Sequence, residues 1–236
     1  MKPLALVTGG AVRVGAAISR ALAEAGYTVV VHAGRHVAEA HALAAELGGH
    51  ALIADLASRP AVDALMEAVD ALPGRLAVLV NNAAIFEGAP PEAVSAELFD
   101  RHLEINLRAP FRLAQLAHGR MQAGGHIVNI LDISALRPYP GFAHYSAAKA
   151  GLLALTTGLA AAWAPAIRVN AVAPGPVLAP DGPADPAGFA ARTARAPQGR
   201  PPGAEAVAAA VVFLVEGPLG ITGEVIHVDA GRRTVW

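Results

Sequence analysis

Tyr145 and Lys149 are a pair whose types and spacing could do chemistry, since Tyr145-Ser146-Ala147-Ala148-Lys149 opens an alanine-rich helical stretch. A four-residue spacing puts both side chains on one helix face. Free tyrosine has a pKa of about 10, too high for ready proton transfer near neutrality. An ammonium a few ångströms away favours the phenolate and lowers that pKa. The chain has no lysines besides Lys2 and Lys149, its other basic residues being arginines, which singles Lys149 out.

A second constellation lies near the start. Thr8-Gly9-Gly10-Ala11-Val12-Arg13-Val14-Gly15 joins a strand-like run to a helix. Glycines in such a turn let the backbone approach a pyrophosphate at the positive end of the helix dipole, although a tight turn that binds nothing has the same spelling. Arg13 presents a cation to those phosphates. NAD-preferring folds place Asp or Glu at the end of the second strand, to hold the ribose hydroxyls. Here that strand ends Val31-His32-Ala33-Gly34-Arg35-His36, with no acid. Arg13 and Arg35, with His32 or His36 in support, make a cationic pocket for a 2′-phosphate, so NADPH is the expected cofactor. The alternative for Arg35 is a solvated loop position. Asp55, after the third strand, would accept from the adenine amino group. Asn82 and Ala83, in Asn81-Asn82-Ala83-Ala84 closing the fourth strand, would hold the backbone around the adenosine ribose.

These groups need a frame, and the patterning supplies one. Short apolar runs at 4–8, 28–32, 50–53, 77–81, 126–131, 167–173 and 224–228 read as strands. Helical segments lie between them at 15–25, 38–47, 59–71, 95–121 (broken near 106–110), 142–163 and 204–215. This alternation predicts an α/β fold, with a seven-stranded parallel sheet doubly wound by helices on both faces. The 236 residues, 54% hydrophobic and 16% charged, suit one domain spanning 1–236. Residues 174–203 hold eight prolines and read as an irregular binding loop or lid, with disorder as the plainer alternative.

Composition closes off other classes. A net charge of -1 gives no basic excess for a nucleic acid or an anionic membrane. The absence of cysteine excludes disulfides, a thiolate nucleophile and Cys-ligated metals. Residues 150–167 carry no charge, but their Ala, Gly and Thr content points to a core helix that also forms a subunit contact, not to a lipid span. Met1-Lys2-Pro3 running into Leu4-Ala5-Leu6-Val7 lacks a signal-peptide layout, so a soluble, cytoplasmic protein is expected. The nine histidines show no metal-ligand spacing, and those other than His32 and His36 read as surface or core-edge residues.

Taken together, the Thr8–Gly15 loop, Asn81-Asn82-Ala83-Ala84, Asn106, Tyr145-x-x-x-Lys149 and Pro174-Gly175 resemble the short-chain dehydrogenase/reductase family over the whole chain. The resemblance implies hydride transfer from NAD(P)H within a homotetramer or homodimer. It makes Tyr145 the proton donor, tuned by Lys149, which would also hold the nicotinamide ribose. Asn106 would order a water in the proton relay, and Pro174, Gly175 and Val177 would touch the cofactor. Ketone-reducing members carry a serine thirteen residues before the tyrosine, where this chain has Asp132, in Asn129-Ile130-Leu131-Asp132. An ionised carboxylate there would repel an oxygen that becomes negative; it suits a substrate that offers N–H donors or takes a proton on a ring nitrogen, and a raised pKa would let it shuttle protons. Ser134 is the alternative, if a local bulge displaces Asp132 and brings the hydroxyl into its place. The departure at Asp132, with Arg13 in the glycine loop and His32-Ala33-Gly34-Arg35 before Ala38-Glu39-Ala40, resembles the pteridine reductase branch. Phe86, four residues past Asn82, would stack on a pterin ring there, or else be plain core. Ala84, where a hydroxyl would meet substrate or cofactor, and the 174–203 loop depart from that branch, which leaves the pterin side chain open.

The resulting expectation is an NADPH-dependent reductase of dihydropterins, acting at a ring C=N bond with Tyr145 and Asp132 in proton delivery. Two rivals stay open. One is a ketoreductase of the 3-oxoacyl thioester type, which needs Ser134. The other is a sensor that binds NADPH without turnover, for which a tuned phenol has no use. The tail Arg232–Trp236 would reach a neighbour's site in a tetramer, or fray.

Overall fold

The computed structural model describes residues 2–121, 124–179 and 186–235. Its strands are β1 (Leu4–Val7), β2 (Thr28–Ala33), β3 (His50–Ile53), β4 (Leu76–Asn81), β5 (Gly125–Ile130), β6 (Ile167–Pro174) and β7 (Val225–Val228). All pair in parallel in the order β3-β2-β1-β4-β5-β6-β7. The helices are α1 (Arg13–Glu24), α2 (Val37–Leu47), α3 (Arg59–Asp70), α4 (Ala96–Leu103), α5 (Ala109–His118), α6 (Ala143–Trp163), α7 (Pro186–Ala194) and α8 (Ala204–Glu216).

The sheet is covered on both faces, which is why its central strands are nearly continuous apolar runs. Side chains alternate across it. Ala5 and Val7 of β1 join a core with Ile18 and Leu22 of α1 and Val207 and Val211 of α8. Leu4 and Leu6 join the opposite core, with Leu65 and Met66 of α3 and Leu113 of α5. Truncating a fully buried leucine such as Leu22 or Leu79 would cost about 2–5 kcal/mol. Strand order reverses between β1 and β4, so a crevice opens beyond their carboxyl ends, the usual ligand position in such sheets.

Two elements depart from the sequence expectation in an informative way. The segment 95–121 is α4 and α5 joined by a π-helical turn over Glu104–Arg108. Pro110 has no N–H for an α-type bond to the Asn106 carbonyl, and the helix widens where that bond would be. Within the proline-rich 174–203 segment lies α7, contrary to an irregular loop throughout. Pro186 takes its first position, where proline's fixed φ favours a helix. The part of the expected lid at 180–185 lies outside the described residues, as does Trp236. The described tail is held to its own chain: Arg137 Nη1 donates to the carbonyls of Arg233 and Val235, at 2.7 and 2.6 Å. Among the described residues no helix is long and apolar enough to cross a membrane.

Candidate active site

The switch-point crevice is a cleft of about 670 Å³. Gly9, Arg13, Val14, Gly15, His32, Arg35, His36, Asp55, Asn82 and Ala83 all line it. Thr8 knits its floor, accepting at Oγ1 from the backbone N–H groups of Asn82 and Ala83, each at 3.0 Å. The Asn82 side chain is committed to the glycine turn, donating to the carbonyls of Thr8 and Gly9 at 2.9 and 3.0 Å. Gly9 has φ +59, and a Cβ on Gly15 would lie 2.0 Å from the Gly9 carbonyl oxygen. The turn therefore requires glycine at both places. No side chain caps the N-terminus of α1 and no acid sits in its first turn, so its N–H groups face the cleft as an anion cradle. Arg35 and His36 stand exposed at the lip.

Three sets of the expected cofactor residues have structural bonds of their own. His32 is buried: its Nδ1 accepts from the Gly9 N–H at 3.2 Å, and its Nε2 donates to the Ala54 carbonyl at 3.0 Å. Burial holds its pKa below the ordinary histidine value, so it braces the turn as a neutral ring and adds no cation. Arg13, in left-handed backbone at φ 54, donates from Nη2 to the Ala179 carbonyl at 2.8 Å, tying the glycine loop to the segment after β6. Pro174 and Gly175 end β6, Gly175 held by the Val228 carbonyl, while Val177 packs into the α1/α8 core.

The chemical end lies where β5 and α6 meet. Tyr145, in the first turn of α6, is buried, and its hydroxyl donates to Asp132 Oδ2 at 3.2 Å. Asp132 caps the short turn Ile133–Ala135, its Oδ1 accepting from the Ser134 N–H at 2.7 Å. Asp132 is thus not displaced, and Ser134 supports it through the backbone. Lys149 is buried as well, and its Nζ donates to the Ile130 carbonyl at 2.8 Å, 5.9 Å from the Tyr145 ring centre.

Lys149 by itself does not lower the phenol in this fold. Burial and the neighbouring Asp132 carboxylate hold the Tyr145 pKa well above its ordinary value. Burial also raises Asp132, against the Ser134 N–H, the Lys149 charge and the Tyr145 hydroxyl. Lys149 is lowered to about 8 by burial, opposed by Asp132. The reason is geometric: the ammonium is drawn to a main-chain carbonyl, and the nearest charge to the phenol is a carboxylate.

Asn106, in the π-turn, is fully buried, with Oδ1 accepting from the Ile85 N–H at 2.9 Å and Nδ2 donating to the Ile85 carbonyl at 3.0 Å. Phe86 is not core, being 55% exposed. One face stacks on Phe142, centroids 4.2 Å apart and 5° from parallel, and the ring meets Tyr145 edge-on at 4.8 Å. Phe142 escaped the sequence reading although it lies three residues before Tyr145 in the same helical entry. His102, His126 and His144 are deeply buried, contrary to a surface or core-edge placement. His102 and His144 adjoin the site, one four residues before Asn106 and the other beside Tyr145.

The cradle fits a dinucleotide by three observations: glycines a Cβ would fill, uncapped helix N–H groups, and cations at the lip with no acid at the end of β2. A family model described as Enoyl-(Acyl carrier protein) reductase matches residues 10–233. The chain is 40% identical to the probable galactose dehydrogenase GalD of Rhizobium meliloti (strain 1021) over 181 residues, 73% of this chain and 71% of that one. It is 38% identical to the acetoacetyl-CoA reductase of Paracoccus denitrificans over 178 residues, 74% of each. Among solved structures, FolM alternative dihydrofolate reductase 1 from Brucella canis, complexed with NADP, superposes with a TM-score of 0.90 at 35% identity, over 99% of this chain and 95% of that one.

Proposed function

The chain belongs to the short-chain dehydrogenase/reductase family and is an NADP-using oxidoreductase, and from that premise we propose that it reduces dihydropterins at a ring C=N bond. The observation that carries this reading is the Asp132 carboxyl 3.2 Å from the Tyr145 hydroxyl. An oxyanion forming between these two groups would meet a carboxylate, whereas a ring that presents N–H donors would be held by it. The likeness to a protein named an alternative dihydrofolate reductase supports the same substrate class.

When bound, NADPH supplies the hydride. Gly9 and Gly15 let the backbone approach its pyrophosphate, and Arg35 with His36 take the 2′-phosphate at the lip. Phe86 offers an exposed aromatic surface beside Tyr145, against which a flat heterocycle stacks. The C=N bond becomes CH–NH as carbon accepts the hydride and nitrogen accepts the Tyr145 hydroxyl proton. Asp132, hydrogen-bonded to that hydroxyl and with its pKa raised, takes up a proton from solvent and passes it on to re-protonate Tyr145. Lys149 fixes the end of β5 through the Ile130 carbonyl and keeps a positive charge beneath the pair.

Ketone reduction is the competing reading, favoured by the likeness to an acetoacetyl-CoA reductase. It requires the Ser134 hydroxyl to polarise a carbonyl from a residue whose N–H holds Asp132. NADPH consumption with dihydrobiopterin or dihydromonapterin, beside an acetoacetyl ester, separates the two in wild type and Asp132→Ser. Pterin turnover that collapses in the variant supports the proposal. Ketone turnover by the wild type with none on pterins overturns it, and tight NADPH binding with no turnover would favour a sensor.

A further inference from the structure

Two histidines beside the site have hydrogen bonds that tie them to one short segment, and those of His102 fix where its proton is. The amide of Asn106 is oriented by Ile85, which donates to Oδ1 and accepts from Nδ2. The same Nδ2 lies 3.1 Å from His102 Nδ1. A donor facing that nitrogen requires it to be bare, so His102 is neutral with its proton on Nε2. His144 Nε2 lies 2.8 Å from the Glu87 carbonyl and must donate to it. The two remaining ring atoms, His102 Nε2 and His144 Nδ1, are buried without a hydrogen-bond partner among the described residues. The rings meet edge to face, centroids 4.5 Å apart.

These bonds converge on one short segment. Asn106 grips Ile85 by both main-chain groups, and His144 grips Glu87. Between them is Phe86, whose ring lies against Tyr145. We infer that His102, as a neutral imidazole, and His144 are positioning residues that hold the 85–87 segment and so set Phe86 against Tyr145 on the substrate side of the site. A proton on His102 Nδ1 would place N–H against N–H, break the Asn106 bond and loosen the grip on Ile85.

The groups facing His102 are His144 and Tyr145 on α6, Glu87 on the gripped segment and Arg101 on its own helix, Arg101 being paired with Glu87 at 3.1 Å. Burial first, then His144, holds the His102 pKa below its ordinary 6.5, with Glu87 opposing. A depressed histidine contributes stability present above the unfolded value and lost as pH falls toward the folded one. The segment is thus firm at neutral pH and loosens on acidification.

The inference rests on the dihydropterin reading only for the choice of substrate, so its main readout needs none. Hydrogen–deuterium exchange of the Ile85 amide is followed in wild type, His102→Asn, which keeps an acceptor where Nδ1 stands, and His102→Phe, which keeps a ring without one. In His102→Phe that amide should exchange about tenfold faster, with β1 and β4 unchanged, while His102→Asn stays near wild type. His102→Leu replaces the phenyl variant if the larger ring fails to pack. The dihydropterin KM should rise in the acceptor-free variant more than kcat falls, with the NADPH KM unmoved. Wild-type protection in the acceptor-free variant, or equal loss in both variants, would overturn the inference. If the wild type turns over no pterin, the exchange result still decides the matter.

Discussion

The Tyr145 hydroxyl donates to Asp132 Oδ2 across 3.2 Å, which makes the phenol and the carboxyl one proton-holding unit. Burial moves both pKa values up; the Asp132 carboxylate adds to the rise at Tyr145, whereas the Tyr145 hydroxyl opposes the rise at Asp132. On the proposed dihydropterin reading, the unit holds the Tyr145 proton until a substrate nitrogen takes it. On that reading, replacing the carboxyl by a hydroxyl removes the group that re-protonates Tyr145. Asp132→Ser should therefore lower dihydropterin kcat by about a hundredfold, read from steady-state NADPH consumption. A change of less than twofold would remove Asp132 from proton delivery.

The same relationship has a consequence for stability. Asp132 is raised above its ordinary 3.8 in the fold, so folding favours its neutral form. Its contribution is full below the unfolded value and is lost as pH rises through the folded one. Asp132→Asn should thus melt above wild type at pH 7, with the gain shrinking as pH falls toward 3.8. Thermal melts of both proteins over that range check it, and a gain that grows on acidification would contradict the assignment.

Much of the frame of this site is legible in the sequence. The buried runs of β1, β4 and β5, the glycine turn and the four-residue Tyr145–Lys149 spacing each follow from local physics, and the parallel order follows from their alternation. What spacing does not specify is which polar neighbour a side chain selects. Lys149 shares a helix face with Tyr145 yet bonds the Ile130 carbonyl, on a different element. His32 looks cationic beside Arg35 in sequence, but its place inside β2 buries it between two backbone partners. His102 and His144 acquire meaning only through Ile85 and Glu87, which the fold brings to them from another loop. Prolines in 174–203 counted against a helix, although proline at a first helical position favours one, as α7 does.

Lys149 supplies a second pH signature. Burial lowers its ammonium to about 8, so the positive charge under the site disappears as pH rises past that value. That charge opposes the rise in the Asp132 pKa. The wild-type kcat/KM should fall above about pH 8, and Lys149→Met should be low and nearly flat over pH 7 to 9. A Lys149→Met profile that keeps the wild-type fall would assign it to another group.

The proposed reading gives cofactor choice to Arg35, exposed at the lip of the cleft where β2 ends without an acid. A guanidinium there meets a 2′-phosphate in forked geometry, and a ribose hydroxyl gives it nothing comparable. Because the pair is exposed, the gain is modest and screened by salt. Arg35→Ala should cost about tenfold in kcat/KM for NADPH and leave NADH nearly unchanged, with the NADPH loss shrinking as ionic strength rises. An equal loss with both cofactors would mean that Arg35 supports the loop and not the phosphate. His36→Ala would then be the next variant in which to seek the phosphate contact.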